Sequence, residues 1–218
     1  MRRHFQRPFS LPAGATEVVL VRHGAVARPE PDALVGGHSD PQLSERGERQ
    51  AEATAARLSG EPIGAIFVTP LSRTAATAAP LAAATGIDSM VVQELREVHL
   101  GDWEGPQFQQ RTSAGDALTL RVFEEERWDV IPGAEPAEAF GLRVSEGLAT
   151  VVERTGPDSI GVAVVHGGVI AEACRQVTGS RPFAFLTAEN GSITRVVHHA
   201  DGGWLLRSFN GTTHLAAV

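Results

Sequence analysis

The chain predicts an α/β fold, three-layered and doubly wound, in which a mostly parallel sheet carries helices on both faces. Three observations carry that prediction. Short apolar runs at 18–21, 65–68 and 160–165 are rich in β-branched residues and lack polar alternation, as suits strands covered on both sides. Segments of helical character separate them, where an antiparallel partner would need only a short turn. Each run also ends in basic side chains, and ligands in open α/β sheets bind outside the strands' carboxyl ends.

In order, Val18-Val19-Leu20-Val21 is the first strand, and Arg22-His23-Gly24 follows it. Ala25 to Asp40, rich in Pro, Gly and Asp, reads as a loop across the sheet edge. Ser44 can cap a helix to Leu58, with Ala51, Ala55 and Leu58 inward and Glu45, Arg46, Glu48, Arg49 and Glu52 toward water. Ala65 to Val68 is a second strand, ending in Thr69-Pro70-Leu71-Ser72-Arg73. A helix from Ser72 to Thr85 is expected to be kinked or split at Pro80. Met90 to Val92 reads as a third strand, before a loop from Glu94 to Gly105 that is dense in ionisable groups.

Gln107 to Trp128 reads as partly helical, inside an insertion at about 106–134 that flanks the site. A helix from Glu135 to Arg154 has Leu142, Val144 and Leu148 on its apolar face. The run from Ile160 to Val165 ends in His166-Gly167-Gly168, where glycines let backbone N–H groups approach an anion at the start of the next helix, Val169 to Thr178. Ser192 to His198 and Trp204 to Phe209 close the sheet around the turn Asp201-Gly202-Gly203.

A length of 218 residues suits one domain over 16–218, preceded by a basic, Pro-containing arm at 1–15 that lacks the apolar segment of a secretory signal. No apolar run approaches the roughly eighteen residues of a bilayer span. The net charge of −7 argues against general affinity for nucleic acid. A lone Cys174 leaves no disulfide and no thiolate zinc cluster, which suits the cytoplasm. An edge strand or the arm is where subunits of a homodimer would pair.

Arg22, His23, Arg73 and His166, delivered to one sheet edge, suit a phosphate monoester, because arginine forms planar two-pronged hydrogen bonds to phosphoryl oxygens. Here the chain resembles the histidine phosphatase superfamily, also called phosphoglycerate mutase-like. The likeness rests on Leu20-Val21-Arg22-His23-Gly24, Pro70-Leu71-Ser72-Arg73-Thr74, Glu97 within Arg96 to Gly105, and Val164-Val165-His166-Gly167-Gly168. Asp40-Pro41-Gln42-Leu43-Ser44 with Gly47, Gln50 and Ala51 adds a non-catalytic match.

The resemblance implies the phosphoglycerate mutase-like fold and a metal-independent phosphomonoesterase acting on small phosphorylated metabolites, with no cofactor. His23 would attack phosphorus to form a phosphohistidine, while Arg22, Arg73 and His166 hold the equatorial oxygens. Glu97 would protonate the leaving alkoxide and then activate water. Gly24 and Gly167 are expected to border the phosphate, and Trp103 to wall the pocket or pack the loop. Many relatives continue Arg-His-Gly with Glu-Thr and later an Asn, whereas this chain has Ala25, Val26 and Arg28-Pro29; His38, Gly36 or Gly37 could substitute. Arg111, Arg121 and Arg127 are only scattered candidates for a second anionic group, which favours a phosphatase over a phosphoglycerate mutase. A catalytically weak phospho-ligand-binding module is the third reading.

Overall fold

The computed structural model describes residues 8–27, 34–35 and 38–218. Gly36, Gly37, Arg28, Pro29 and the first seven residues of the arm lie outside them. A six-stranded sheet runs in the order β5-β4-β6-β1-β7-β8. Its strands are β1 (Thr16–Arg22), β4 (Ile63–Val68), β5 (Ser89–Val91), β6 (Ser159–Val165), β7 (Ile193–His198) and β8 (Trp204–Gly211). The first four in that spatial order are parallel, and β7 and β8 add antiparallel pairings.

β1 lies third from the antiparallel end, between β6 and β7, and its residues alternate between two cores. Val18 and Leu20 enter a cluster with Phe140, Val144, Leu148, Val169 and Ile170. These come from α5 (Ala137–Thr155) and α6 (Gly167–Thr178). Val19 and Val21 pack with Ala55, Leu58, Ala78 and Leu81 on the opposite face, contributed by α1 (Glu45–Leu58) and α2 (Ser72–Thr85). Two covered faces explain why the strand carries no polar alternation. The expected three layers are present.

Ser44 caps α1 by accepting from the Gly47 amide at 3.2 Å. Three local expectations change. α2 runs unbroken through Pro80: Ala76, whose carbonyl loses its partner there, is exposed, and Ala78 and Leu81 are buried on the same helix, so packing offsets a cost of about 3 kcal/mol. Within the stretch read as a loop, Leu34–Val35 (β2) pairs with His38–Ser39 (β3). On α5 Leu142 is 63% exposed, because it stands about 200° around the helix from the buried Phe140.

The segment expected to be an insertion contains α3 (Gln107–Ser113) and α4 (Ala117–Glu125). A separate cluster of Trp103, Val122 and Ile131 anchors it, with Phe108, Trp128 and Phe183 packed against that cluster. No helix among the described residues is long and apolar enough to cross a membrane.

Candidate active site

His23 leaves β1 with its amide bonded to the Val165 carbonyl at 3.0 Å, which ties it to the end of neighbouring β6. Its Nδ1 lies 2.8 Å from the Gly24 carbonyl. A carbonyl can only accept, so Nδ1 carries the proton and Nε2 keeps its lone pair. Burial, then the charge of Arg73, and more weakly that of Arg22, push the His23 pKa down to about 3 against the opposing bond to Gly24. The ring is therefore neutral and already in the tautomer a nucleophile requires.

The main chain around it is pinned. Asn190 donates from Nδ2 to the His23 carbonyl at 2.9 Å, and the Gly24 amide donates to Thr77 Oγ1 at 3.0 Å. The Ala25 amide donates to Gln50 Oε1 at 2.8 Å, and its carbonyl accepts from the Ser44 amide at 2.9 Å. Gly24 lies so close to α1 that a Cβ there would stand 2.5 Å from the Gly47 carbonyl oxygen, and a Cβ on Gly47 would collide with the Ala25 backbone.

His166, fully buried, lies with its ring centre 5.3 Å from that of His23. Its Nδ1 is 3.3 Å from Arg73 Nη2, and its Nε2 is 2.9 Å from Thr69 Oγ1. Arginine only donates, so Nδ1 accepts and Nε2–H donates to Thr69. Burial and the nearby charge of Arg73 hold this ring neutral as well. Both nitrogens are therefore engaged, and His166 stands behind Arg73 rather than in the cavity.

Arg73 lies in the first turn of α2, donating to the Ser39 carbonyl and standing 3.4 Å from Asp40 Oδ1. Arg22 donates from Nη1 to the Ala188 carbonyl, and its Nε is buried without an acceptor. A Cβ on Gly167 would stand 3.4 Å from the Arg22 guanidinium carbon, so glycine leaves room for that group.

Glu97 accepts from the Val98 amide at 2.9 Å through Oε1 and from the Gly168 amide, at the start of α6, at 3.2 Å through Oε2. The neighbouring Glu104 accepts from Leu100 and Ser39 amides at 2.8 and 3.1 Å, which organises the loop.

His23, Arg73 and Glu97 line one cavity of about 270 Å³, with His38, Val26, Pro41, Leu100, Phe108 and Gln109 completing its wall. His38 donates from Nε2 to the Glu97 carbonyl at 3.1 Å, and its ring edge meets His99 at 5.1 Å. Trp103 does not line the cavity. Its indole, 1% exposed, anchors the insertion, with the Arg111 guanidinium 5.5 Å over it. A larger cavity of about 610 Å³, floored by Gln50 and Asn190, lies beside Arg22 and does not include His23. Among the described residues no group of three His, Cys, Asp or Glu is placed to hold a metal ion.

Sequence reasoning missed Arg143. This residue of α5, 8% exposed, donates to the carbonyls of Glu94, Arg96 and Glu97 at 2.7, 2.6 and 3.0 Å. It also grips both carboxylate oxygens of Glu135, at 2.6 and 2.7 Å. The signal was an arginine within an otherwise apolar helix face beside Phe140 and Val144. Thr69, which fixes the tautomer of His166, gave no signal beyond its place at a strand end.

Residues 18–212 match the model of the histidine phosphatase superfamily, branch 1. The chain belongs to that superfamily. It is 34% identical over 158 residues to the phosphoglycerate mutase-like protein 4 of Arabidopsis thaliana, covering 71% of this chain and 67% of that one. It is 28% identical over 207 residues to the metal-independent phosphoserine phosphatase of the same plant, with 93% and 84% covered. Among solved structures, a mycobacterial glucosyl-3-phosphoglycerate phosphatase superposes with a TM-score of 0.70 at 29% identity, over 90% of this chain and 99% of that one. A phosphoglycerate mutase from Bacillus anthracis has a TM-score of 0.76 at 20% identity, over 94% and 96%, a likeness of fold. For a superfamily member, the pairing of His23 and His166 around Arg73 is where the chemistry is to be sought.

Proposed function

We propose that this protein is a metal-independent phosphomonoesterase that hydrolyses small phosphorylated metabolites through a phosphohistidine at His23. The observation that carries the reading is the neutral His23 with its proton held on Nδ1 by the Gly24 carbonyl. Nε2 attacks phosphorus in line, the P–N bond forms as the ester P–O bond breaks, and the electron pair leaves with the alkoxide. Arg73 and Arg22 hold the equatorial oxygens as negative charge shifts across them. Arg22 borders the neighbouring larger cavity and its buried Nε has no acceptor, so it must turn toward His23 to join Arg73. His166, with Nδ1 on Arg73, holds the guanidinium in place and meets a phosphoryl oxygen only where that contact yields.

Glu97 is the general acid. It gives its proton to the departing alkoxide, then as a carboxylate takes one from the water that attacks the phosphohistidine, the new P–O bond forming as the P–N bond breaks and returns its electron pair to Nε2. Its relatives' names support a phosphatase and a mutase alike. Hydrolysis is favoured by the arginines on which a mutase would call to hold a second anionic group. Arg111, Arg121 and Arg127 are paired with Asp116, Glu125 and Asp129, and none of them lines the cavity. We place the enzyme in the cytoplasm, which suits its single buried thiol, Cys174.

The test is release of inorganic phosphate from p-nitrophenyl phosphate with a chelator present, together with capture of a labelled phosphoryl group on the protein. Wild type should do both and His23→Ala neither. Unimpaired turnover in His23→Ala would sink the mechanism, and binding of phosphate without turnover by the wild type would favour the binding module.

A further inference from the structure

The cavity divides its charges unevenly. At its inner end are His23 and Arg73, both committed to the phosphoryl group. The outer wall is Val26, Pro41, Leu100 and Phe108, with Gln109 at the mouth. Among the described residues that line it, Arg73 is the sole arginine or lysine. His38 also faces the cavity, but its Nε2–H is directed at the Glu97 carbonyl.

The remaining charge on the wall is negative. Glu104 lines the same space and is held there by two backbone amides, while Glu97 meets the substrate protonated, as its role as acid requires. A leaving group that carried its own carboxylate would approach Glu104 and find no further cation among the described lining residues. The arginines of the insertion are turned to acidic neighbours on its exposed surface. The described walls border a space of about 270 Å³, room for a phosphoryl group and a small alcohol.

We infer that this site selects phosphomonoesters of small, uncharged, partly apolar alcohols and discriminates against esters whose alcohol bears a carboxylate. The inference rests on the phosphatase reading and adds the leaving-group class to it. It also separates this chain from relatives named for phosphoserine and glucosyl-3-phosphoglycerate, both of which present a carboxylate.

Two matched pairs test it by phosphate release: glycerol 3-phosphate against 3-phosphoglycerate, and phenyl phosphate against 4-carboxyphenyl phosphate. Within each pair the members differ in the charge of one substituent. In the second pair the carboxylated phenol is the better leaving group, so intrinsic reactivity opposes the expected preference. The uncharged member should have the higher kcat/KM by at least about tenfold, equivalent to 1.4 kcal/mol, and Gln109→Arg should narrow that gap by raising the carboxylated member. Equal or faster turnover of the carboxylated members by wild type overturns the inference and leaves the phosphatase reading standing. If that preference disappears in Arg28→Ala, the missing cation belongs to the segment outside the described residues. No phosphate from any of the four esters overturns the phosphatase reading itself.

Discussion

Acidification offers a direct measure of the state of His23. An unfolded histidine titrates near 6.5, whereas burial and Arg73 hold the native ring down to about 3. The native state therefore binds fewer protons than the unfolded chain as pH falls. Stability contributed by the neutral ring is intact above about 6.5 and is lost progressively below it, down to the native value near 3. From pH 7 to pH 5 the unfolded ring goes from about one-quarter to nearly fully protonated while the native ring stays neutral, a loss of about 2 kcal/mol from this residue.

Urea unfolding of wild type and His23→Ala at both pH values isolates that quantity. His214 is depressed in the same direction but is present in both proteins and cancels in the difference, and His166, held down first by burial and Arg73 and only then by His23, keeps its main causes in the variant. Wild type should lose about 2 kcal/mol more than the variant. Equal losses would mean that His23 takes up a proton in the native state, and the preformed neutral nucleophile would fall with it.

Glu97→Gln should lower kcat/KM for alkyl phosphates by about 10²–10⁴ and leave p-nitrophenyl phosphate nearly untouched, because nitrophenolate departs without a proton; equal losses on both would move the acid role elsewhere. In Gly168→Ala a Cβ would stand 2.6 Å from Glu97 Oε1, so its alkyl-ester turnover should approach that of Glu97→Gln while the unfolding midpoint changes little. Arg143→Met leaves Glu135 buried without its partner and should cost about 3–5 kcal/mol in unfolding. Arg143→Met combined with Glu135→Met should recover part of that stability but not kcat, since the carbonyls of Glu94, Arg96 and Glu97 stay ungripped.

The elements legible in the sequence were those whose signals are local. Val18 to Val21 lie between two helical layers, and their unbroken apolar run reports both contacts. Ser44 caps a helix through its own third neighbour. Leu142 failed because apolar character does not specify which side of a helix meets the sheet, and the split at Pro80 because neighbouring packing outweighed one missing hydrogen bond.

The candidate site residues follow strand ends or sit in the adjoining loop and fall within contiguous motifs, so Arg22, His23, Arg73, Glu97 and His166 could be picked out. Their supports could not. Arg143 reaches Glu97 from a helix 46 positions later, and Asn190 reaches His23 across 167; such pairings exist only once the sheet has formed. Trp103 was ambiguous for the same reason, since an aromatic beside ionisable groups suits a pocket wall or the anchor of an insertion.

The close meeting of Gly24 and Gly47 also shapes how this scaffold can diversify. With main chain against main chain on one side of His23, neither position has room for a side chain, and Ala25 between them has its amide and carbonyl occupied. A library that randomised the segment directly after His23 would consist mostly of molecules that misplace that ring. Variation at Val26, Pro41, Phe108 and Gln109 reaches the same cavity from its outer rim, so new substrate ranges are accessible there while the reacting centre stays as built.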